Sequence, residues 1–177
     1  MSIGTVTMRR ANESDIPALE TLVNLAYRGG EATVAWKNEN HLVTGARVVP
    51  EELKDAISAE NSTVHVASTA DGDLIGCVQI EKDGSDAIIG MLSVHPKHQN
   101  IGLGRKLLQA GELVARIQFG CTVGKMYVLC GRPELMAWYA KVGYEPTGET
   151  KPFFGPETRL TALVDDAHFV VVAKQLA

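Results

Sequence analysis

Met91-Leu92-Ser93-Val94-His95-Pro96-Lys97-His98-Gln99-Asn100-Ile101-Gly102-Leu103-Gly104-Arg105-Lys106-Leu107-Leu108, continuing to Phe119, passes from an apolar strand through a proline-punctuated loop and a glycine-bracketed turn into an amphipathic helix. Gly102 and Gly104 lack a Cβ, so the backbone there can take open geometries and come close to a ligand. The helix that Gly104 is expected to open begins with free N–H groups at the positive end of its dipole, which favours an anion. The charges agree. Between Asp86 and Glu112 there is no carboxylate, while Lys97, Arg105 and Lys106 sit there with His95 and His98. A chain of net charge −4 has concentrated positive charge where its backbone can hold a phosphate.

Two common phosphate-binding patterns do not fit. A Walker loop needs Gly-Lys followed by Ser or Thr, whereas Gly104 is followed by Arg105-Lys106-Leu107. The dinucleotide fingerprint needs three spaced glycines after a first strand, and Gly102-Leu103-Gly104 lies in the middle of the chain. The stretch does resemble motif A of the GNAT superfamily of N-acetyltransferases. In that motif a strand ends in Val-x-Pro, and Gln/Arg-x-x-Gly-x-Gly/Ala opens a helix. Here these stand as Val94-His95-Pro96 and Gln99-Asn100-Ile101-Gly102-Leu103-Gly104.

Length and composition suit this resemblance. The 177 residues are enough for one domain spanning 1–177, and 45% hydrophobic with 21% charged residues is ordinary for a soluble globular protein. No apolar run approaches the ~20 residues that span a bilayer, and Met1-Ser2-Ile3-Gly4-Thr5 lacks the pattern of a signal peptide. Cys77, Cys121 and Cys130 are widely spaced and form no Cys-x-x-Cys, so reduced thiols without a disulfide framework or a metal site are expected. A cytoplasmic protein that binds neither membrane nor nucleic acid is the resulting expectation.

Along the chain, Thr5–Arg9 alternates as a first strand. Asn12-Glu13-Ser14-Asp15 supplies capping side chains ahead of a helix from Ile16 to about Tyr27, ended by Gly29-Gly30. Periodicity is lost from Glu31 to Pro50, then Glu51–Ile57 patterns as a second helix. Val64–Ser68, Leu74–Ile80 and Ala87–Val94 form an antiparallel meander with turns at Asp71-Gly72-Asp73 and Lys82–Ser85. The helix from Gly104 turns Leu107, Leu108, Val114 and Ile117 inward. Lys125–Cys130 follows as a strand parallel to Ala87–Val94. A short helix runs from Pro133 to Lys141 with Gly143 as its cap, and strands at Tyr144–Thr147 and Phe169–Ala173 bracket a Pro152–Pro156 loop. This order is similar to the GNAT arrangement over essentially the whole chain. The resemblance implies an α/β (α+β) fold with a mixed central sheet flanked by helices.

A second constellation strengthens the resemblance. Trp138-Tyr139-Ala140-Lys141-Val142-Gly143-Tyr144 is similar to the family's motif B, Phe-Tyr-x-Lys-x-Gly-Phe, with Trp138 and Tyr144 in place of the phenylalanines. Tyr139 matches the tyrosine that in many members protonates the departing CoA thiolate, a role suited to a phenol. Tyr139 also shares a helical face with Leu135 and Met136, so a packed core residue is the competing reading. Many family sequences carry Asn after the preceding strand, where this chain has Gly131-Arg132-Pro133. Arg132 either approaches the cofactor or lies on the surface.

The resemblance implies direct attack of a primary amine on acetyl-CoA within a ternary complex. By that resemblance, backbone groups of Leu92 and Val94 bind the pantetheine arm. The amides of Gln99, Asn100, Ile101, Gly102, Leu103, Gly104 and Arg105 hold the pyrophosphate, with Arg105 or Lys106 near the phosphates. Side-chain changes at Leu103 are expected to matter less than bulk at Gly102 or Gly104. Glu81 is the carboxylate candidate for general base and is otherwise a solvated strand-end charge. Water-mediated deprotonation is the alternative, and His95 and His98 flank the loop. The acceptor, a small-molecule amine, is expected between Tyr27–Arg47 and Lys151–Arg159. There Tyr27, Trp36, Phe153 and Phe154 offer an apolar wall, and Glu31 and Glu81 offer negative charge. Two other functions fit the same motifs, namely an acyl-CoA-sensing module without turnover and a protein N-acetyltransferase. Dimers are common among the proteins it resembles, and the C-terminal strand is the edge expected to pair if this chain forms a homodimer.

Overall fold

Apolar residues at helical spacing make α1 (Ile16–Arg28), and Leu19, Leu22 and Val23 are its buried face. Its entry is fixed by a reciprocal cap. The Asn12 side chain accepts from Ser14 N–H at 2.9 Å, and the Asp15 carboxylate accepts from Asn12 N–H at 2.9 Å. The structure is a computed structural model that describes residues 5–29, 38–153 and 159–177. Gly30, Glu31, Trp36, Phe154 and Pro156 lie outside the described residues.

The remaining elements follow the order read from the sequence, with two short strands, Val43–Thr44 and Thr161–Ala162, added. They are β1 (Thr7–Arg10), β2 (Val43–Thr44), α2 (Pro50–Ser58), β3 (Ser62–Ser68), β4 (Leu74–Asp83), β5 (Asp86–Val94), α3 (Leu103–Ile117), β6 (Val123–Leu129), α4 (Pro133–Lys141), β7 (Glu145–Pro152), β8 (Thr161–Ala162) and β9 (His168–Gln175). Seven strands form one mixed sheet in the order β1-β3-β4-β5-β6-β9-β7, and β2 pairs with β8 apart from it. That small ladder, Val43↔Ala162 and Thr44↔Thr161, joins the segment without periodicity to one that carries no strand pattern.

The sheet is covered on both faces. α1 and α2 pack Leu22, Leu53 and Ile57 against Val64 and Val66. On the other face α3 packs Leu103, Leu107, Leu108 and Ala115 against Val78, Ile80 and Ile89. α3 begins one residue earlier than Gly104, with Gly102 as its cap residue at φ 83°. Ile117 is not on the buried face. It is 70% exposed, because the buried stripe runs through Leu107, Gly111 and Ala115 and leaves Ile117 on the flank.

β5 and β6 pair in parallel only at Asp86↔Val123, Ala87↔Gly124 and Ile88↔Lys125, a junction clamped by Lys125 Nζ on Asp86 at 2.7 Å. Beyond it the two strands share no register. The C-terminal strand β9 is not an edge. It lies between β6 and β7, so β7 is the edge on that side. Among the described residues no helix is long and apolar enough to cross a membrane.

Two glycines test this packing with opposite signs. A Cβ on Gly111 would rest 3.4 Å from Val78 Cγ2, an ordinary contact. Gly111→Ala is therefore expected to raise the unfolding free energy by about 0.5–1 kcal/mol, the helix-propensity gain. A Cβ on Gly76 would lie 2.6 Å from Leu107 Cδ1 and 3.1 Å from Ser93 O, and Leu107 is fully buried with no room to retreat. Gly76→Ala is expected to lower stability by roughly 1–3 kcal/mol. Urea unfolding of both variants checks the two signs.

Candidate active site

The side-chain alternation of β5 fails at one place. Ala87 and Ile89 point into the core beneath α3, yet Met91, which should follow them, points into the core beneath α1 and α2. The cause is a β-bulge. Cys77 faces Ser93 and Gln79 faces Gly90, so two steps along β4 span three along β5. Met91 takes φ 47°, in the left-handed region where a non-glycine residue is uncommon. Its carbonyl is fixed in the buried face, where Ser93 Oγ donates to it at 3.1 Å and Cys77 Sγ at 3.4 Å. Burial pushes the Cys77 thiol up to about 12, so it stays a donor. The bulge leaves Met91 and Leu92 without opposite residues on β4.

After Val94 the chain makes a short turn at Pro96–His98, held by the N–H of Lys97 donating to His95 Nδ1 at 3.2 Å. Asn100 at φ 63° and Gly102 at φ 83° then reverse the backbone. The first hydrogen bond of α3 runs from Lys106 N–H to Gly102 O at 3.1 Å. The amides of Leu103, Gly104 and Arg105 are thus the free donors at a helix start, and no side chain caps them. They border a cavity of about 510 Å³ lined by Leu92, Val94, Asn100, Gly102, Gly104 and Arg105 on this side. Leu135, Trp138 and Tyr139 of α4, with Arg132, close the other side.

A second cavity, also of about 510 Å³, lies across the opening between β5 and β6, lined by Ile88–Leu92 on one strand and by Met126, Tyr127 and Leu129 on the other. Tyr27, Leu92 and Tyr139 line both cavities and mark their junction. Tyr139 is buried, edge-on to Trp138 with ring centroids 5.1 Å apart and to Tyr144 at 6.1 Å. Burial holds its phenol well above the usual tyrosine value, so it carries its proton throughout the neutral range.

Charge around the junction is organised by a buried ion cluster. Glu39 accepts from Arg28 Nη1 at 2.7 Å and from Arg132 Nη1 at 3.1 Å, and Arg132 Nε also donates to Glu134 at 3.3 Å. Arg132 is 7% exposed, so it is neither a surface residue nor an open cation. Gly131 makes this turn at φ 81°, and Leu42 packs where a side chain would stand.

The residues singled out from sequence fall into place as follows. Leu92, Val94, Gln99, Asn100, Gly102, Gly104 and Arg105 all line the first cavity. The Val94 carbonyl is engaged by Gln99 Nε2 at 3.1 Å. The Ile101 side chain is exposed, and Leu103 is buried in the core, so a substitution at Leu103 strikes the fold before the ligand. Lys106, His95 and His98 line neither cavity. Burial, with His98 and Lys97 nearby, lowers the His95 pKa. Glu81 is exposed and lines the second cavity, as do Tyr27 and Phe153. Sequence reading missed Arg28, the last residue of α1, Glu39, inside the aperiodic segment, and the bulge at Met91, which leaves no sign in a largely apolar run.

Residues 60–146 match the family model described as an acetyltransferase (GNAT) domain. Solved structures of the same shape include the PaiA N-acetyltransferase of Thermoplasma acidophilum in complex with coenzyme A, at 15% identity over 97% of this chain and 99% of that one with a TM-score of 0.68. A ribosomal-protein-alanine N-acetyltransferase from Escherichia coli matches at 14% identity, 98% and 95% coverage and a TM-score of 0.69. A spermidine/spermine N-acetyltransferase from Vibrio cholerae in complex with manganese ions matches at 16%, 97% and 92%, and 0.66. A ribosomal protein and a polyamine are very different acceptors, so the shared fold does not fix the acceptor.

The bulge can be tested through its buried carbonyl. Ser93→Ala and Cys77→Ala each leave Met91 O one of its two side-chain donors and are expected to cost about 1 kcal/mol apiece. The double variant leaves it neither. Its loss should exceed the sum of the single losses by roughly 1 kcal/mol or more in an unfolding double-mutant cycle, and strict additivity would remove the shared carbonyl from the account.

Proposed function

We infer, for a chain that belongs to the GNAT superfamily of acetyltransferases, an acetyl-CoA-dependent N-acetyltransferase that acts on a primary amine of a small molecule by direct attack. The observation that carries this reading is the junction itself, where a cavity bordered by free helix amides meets a second cavity beside a buried, protonated phenol.

The first cavity fits coenzyme A. A Cβ on Gly104 would meet only Val94 Cγ2 at 3.7 Å and Trp138 Cζ2 at 3.8 Å, so the space it would take belongs to the cavity. Acetyl-CoA supplies an acetyl group activated as a thioester. The amides of Leu103, Gly104 and Arg105, with the Arg105 side chain, hold the pyrophosphate. The edge of β5 that lacks a partner, at Leu92 and Val94, binds the pantetheine arm. A backbone N–H of β5 at the bulge polarises the acetyl carbonyl. As the nitrogen–carbon bond forms and the carbon–sulfur bond breaks, Glu81 takes the amine proton, directly or through water, and Tyr139 gives its proton to sulfur.

Gly104→Val separates cavity from fold. Calorimetric titration with CoA is expected to show binding by the wild type and a loss of at least about tenfold in affinity for the variant, which should unfold at a similar urea concentration. A folded wild type that does not bind CoA would overturn the reading. For the general acid, Tyr139→Phe is expected to lower kcat for thiol release by on the order of 100-fold at neutral and alkaline pH while leaving CoA affinity within about threefold. Full activity at both pH values would remove Tyr139 from the reaction.

A further inference from the structure

The second cavity contains a cation that the fold holds in place and that no other described residue neutralises. The backbone of Arg47 is fixed from two sides. Its N–H donates to Asn24 Oδ1 at 2.7 Å, and its carbonyl accepts from Arg159 Nη2 at 2.8 Å. Its guanidinium then stands 4.9 Å from the centroid of the Tyr27 ring, and Tyr27 is one of the three residues at the junction. Among the described residues the Arg47 side chain has no hydrogen bond and no ion pair. Stacking on an aromatic face satisfies the flat of a guanidinium and leaves its in-plane N–H groups to a ligand.

The other charges of this cavity are spoken for, with one exception. Arg28 and Glu39 belong to the buried cluster, and Lys151 pairs with Glu149 at 2.7 Å. Among the described residues what remains is Arg47 and the exposed Glu81, one positive and one negative group. Apart from Gln79 and the tyrosines, the rest of the wall is apolar, with Val43, Leu129, Phe153, Leu160 and Phe169 forming one hydrophobic cluster. A polyamine or an aminoglycoside would bring several cations to a cavity already holding an unpaired one.

We propose that the acceptor is an α-amino acid with an apolar side chain, and that Arg47 selects it by pairing with its carboxylate. This rests on the acetyltransferase reading above. The acetyl carbon exchanges its bond to sulfur for one to the α-nitrogen, the nitrogen loses a proton and the sulfur gains one, so the product is an N-acetylamino acid and CoA thiol. The carboxylate is unchanged in the reaction, so Arg47 acts in binding.

The test compares acceptors that differ only at that group. Thiol release is measured with leucine, methionine and phenylalanine, with their carboxamides, with the corresponding amines lacking the carboxylate, and with spermidine. Wild type is expected to prefer the acids over the carboxamides by about 10- to 100-fold in kcat/KM, the range of a charge-assisted pair. Arg47→Met, which keeps an apolar stem on Tyr27, should abolish that preference through KM. Turnover of carboxamides and CoA affinity should be unchanged. Equal wild-type use of acids and carboxamides, a preference for spermidine, or equal losses on acids and carboxamides in Arg47→Met would each overturn the proposal alone. Thiol release from none of the acceptors by an enzyme that binds CoA would overturn the small-amine reading and the proposal together.

Discussion

Past the three residue pairs that join β5 to β6, each strand keeps its partner on the outer side, β4 for one and β9 for the other, and the facing edges have none. A sheet interior cannot leave backbone N–H and C=O groups buried without partners. The opening is tolerated because it is lined with cavity instead of packed core. The candidate site depends on that parting of strands. α4 covers the gap, the loop to α3 turns its amides toward it, and the bulge at Met91 re-aims the strand just where the gap begins. The strain at Met91 is held by two ordinary side chains, Ser93 and Cys77, anchored to one carbonyl.

The two halves of the opening use charge differently. On the α3 side, positive potential comes from free amides and Arg105, fixed by the start of a helix. On the other side, two arginines share Glu39 deep in the wall, and that cluster joins three segments distant in sequence: the end of α1, the chain before β2 and the start of α4. A buried ion cluster of this kind adds little net stability over apolar packing, but removing one member is costly. Its effect here is to set where those segments meet. It also keeps Arg132 from presenting a free charge to the first cavity, the place where a smaller amide side chain is usual in the family that motif B resembles.

How much of this the sequence discloses follows from what each half is made of. The α3 half is built from backbone, so it must be specified by residues that shape backbone: Pro96, Gly102 and Gly104, adjacent in the chain and recognisable at sight. The helices and the meander are legible for the same reason, being local patterns of apolar spacing. The half formed by the second cavity is built from side chains that meet only in three dimensions. Glu39 reaches Arg132 across 93 residues, and Arg159 reaches Arg47 across 112. No local period marks such contacts. The two-residue ladder between β2 and β8 is too short to leave an alternation. The position of β9 inside the sheet depends on β7 folding back along it, and a linear reading that places the last strand at the edge has no means to see that.

Tyr139 shows why core and catalytic readings of one residue need not compete. Its ring is packed edge-on between Trp138 and Tyr144 and belongs to the main hydrophobic core. The same ring lines both cavities. Removing water from around a phenol disfavours the phenolate, which holds the proton on oxygen throughout the neutral range. In the proposed reaction a thiolate released beside it would be disfavoured as an anion in the same surroundings, so proton transfer from the phenol would relieve the charge on sulfur. Burial therefore bears on both the packing and the proposed acid role, and the aromatic spacing of α4 that marks a core face is also what positions the proposed proton donor.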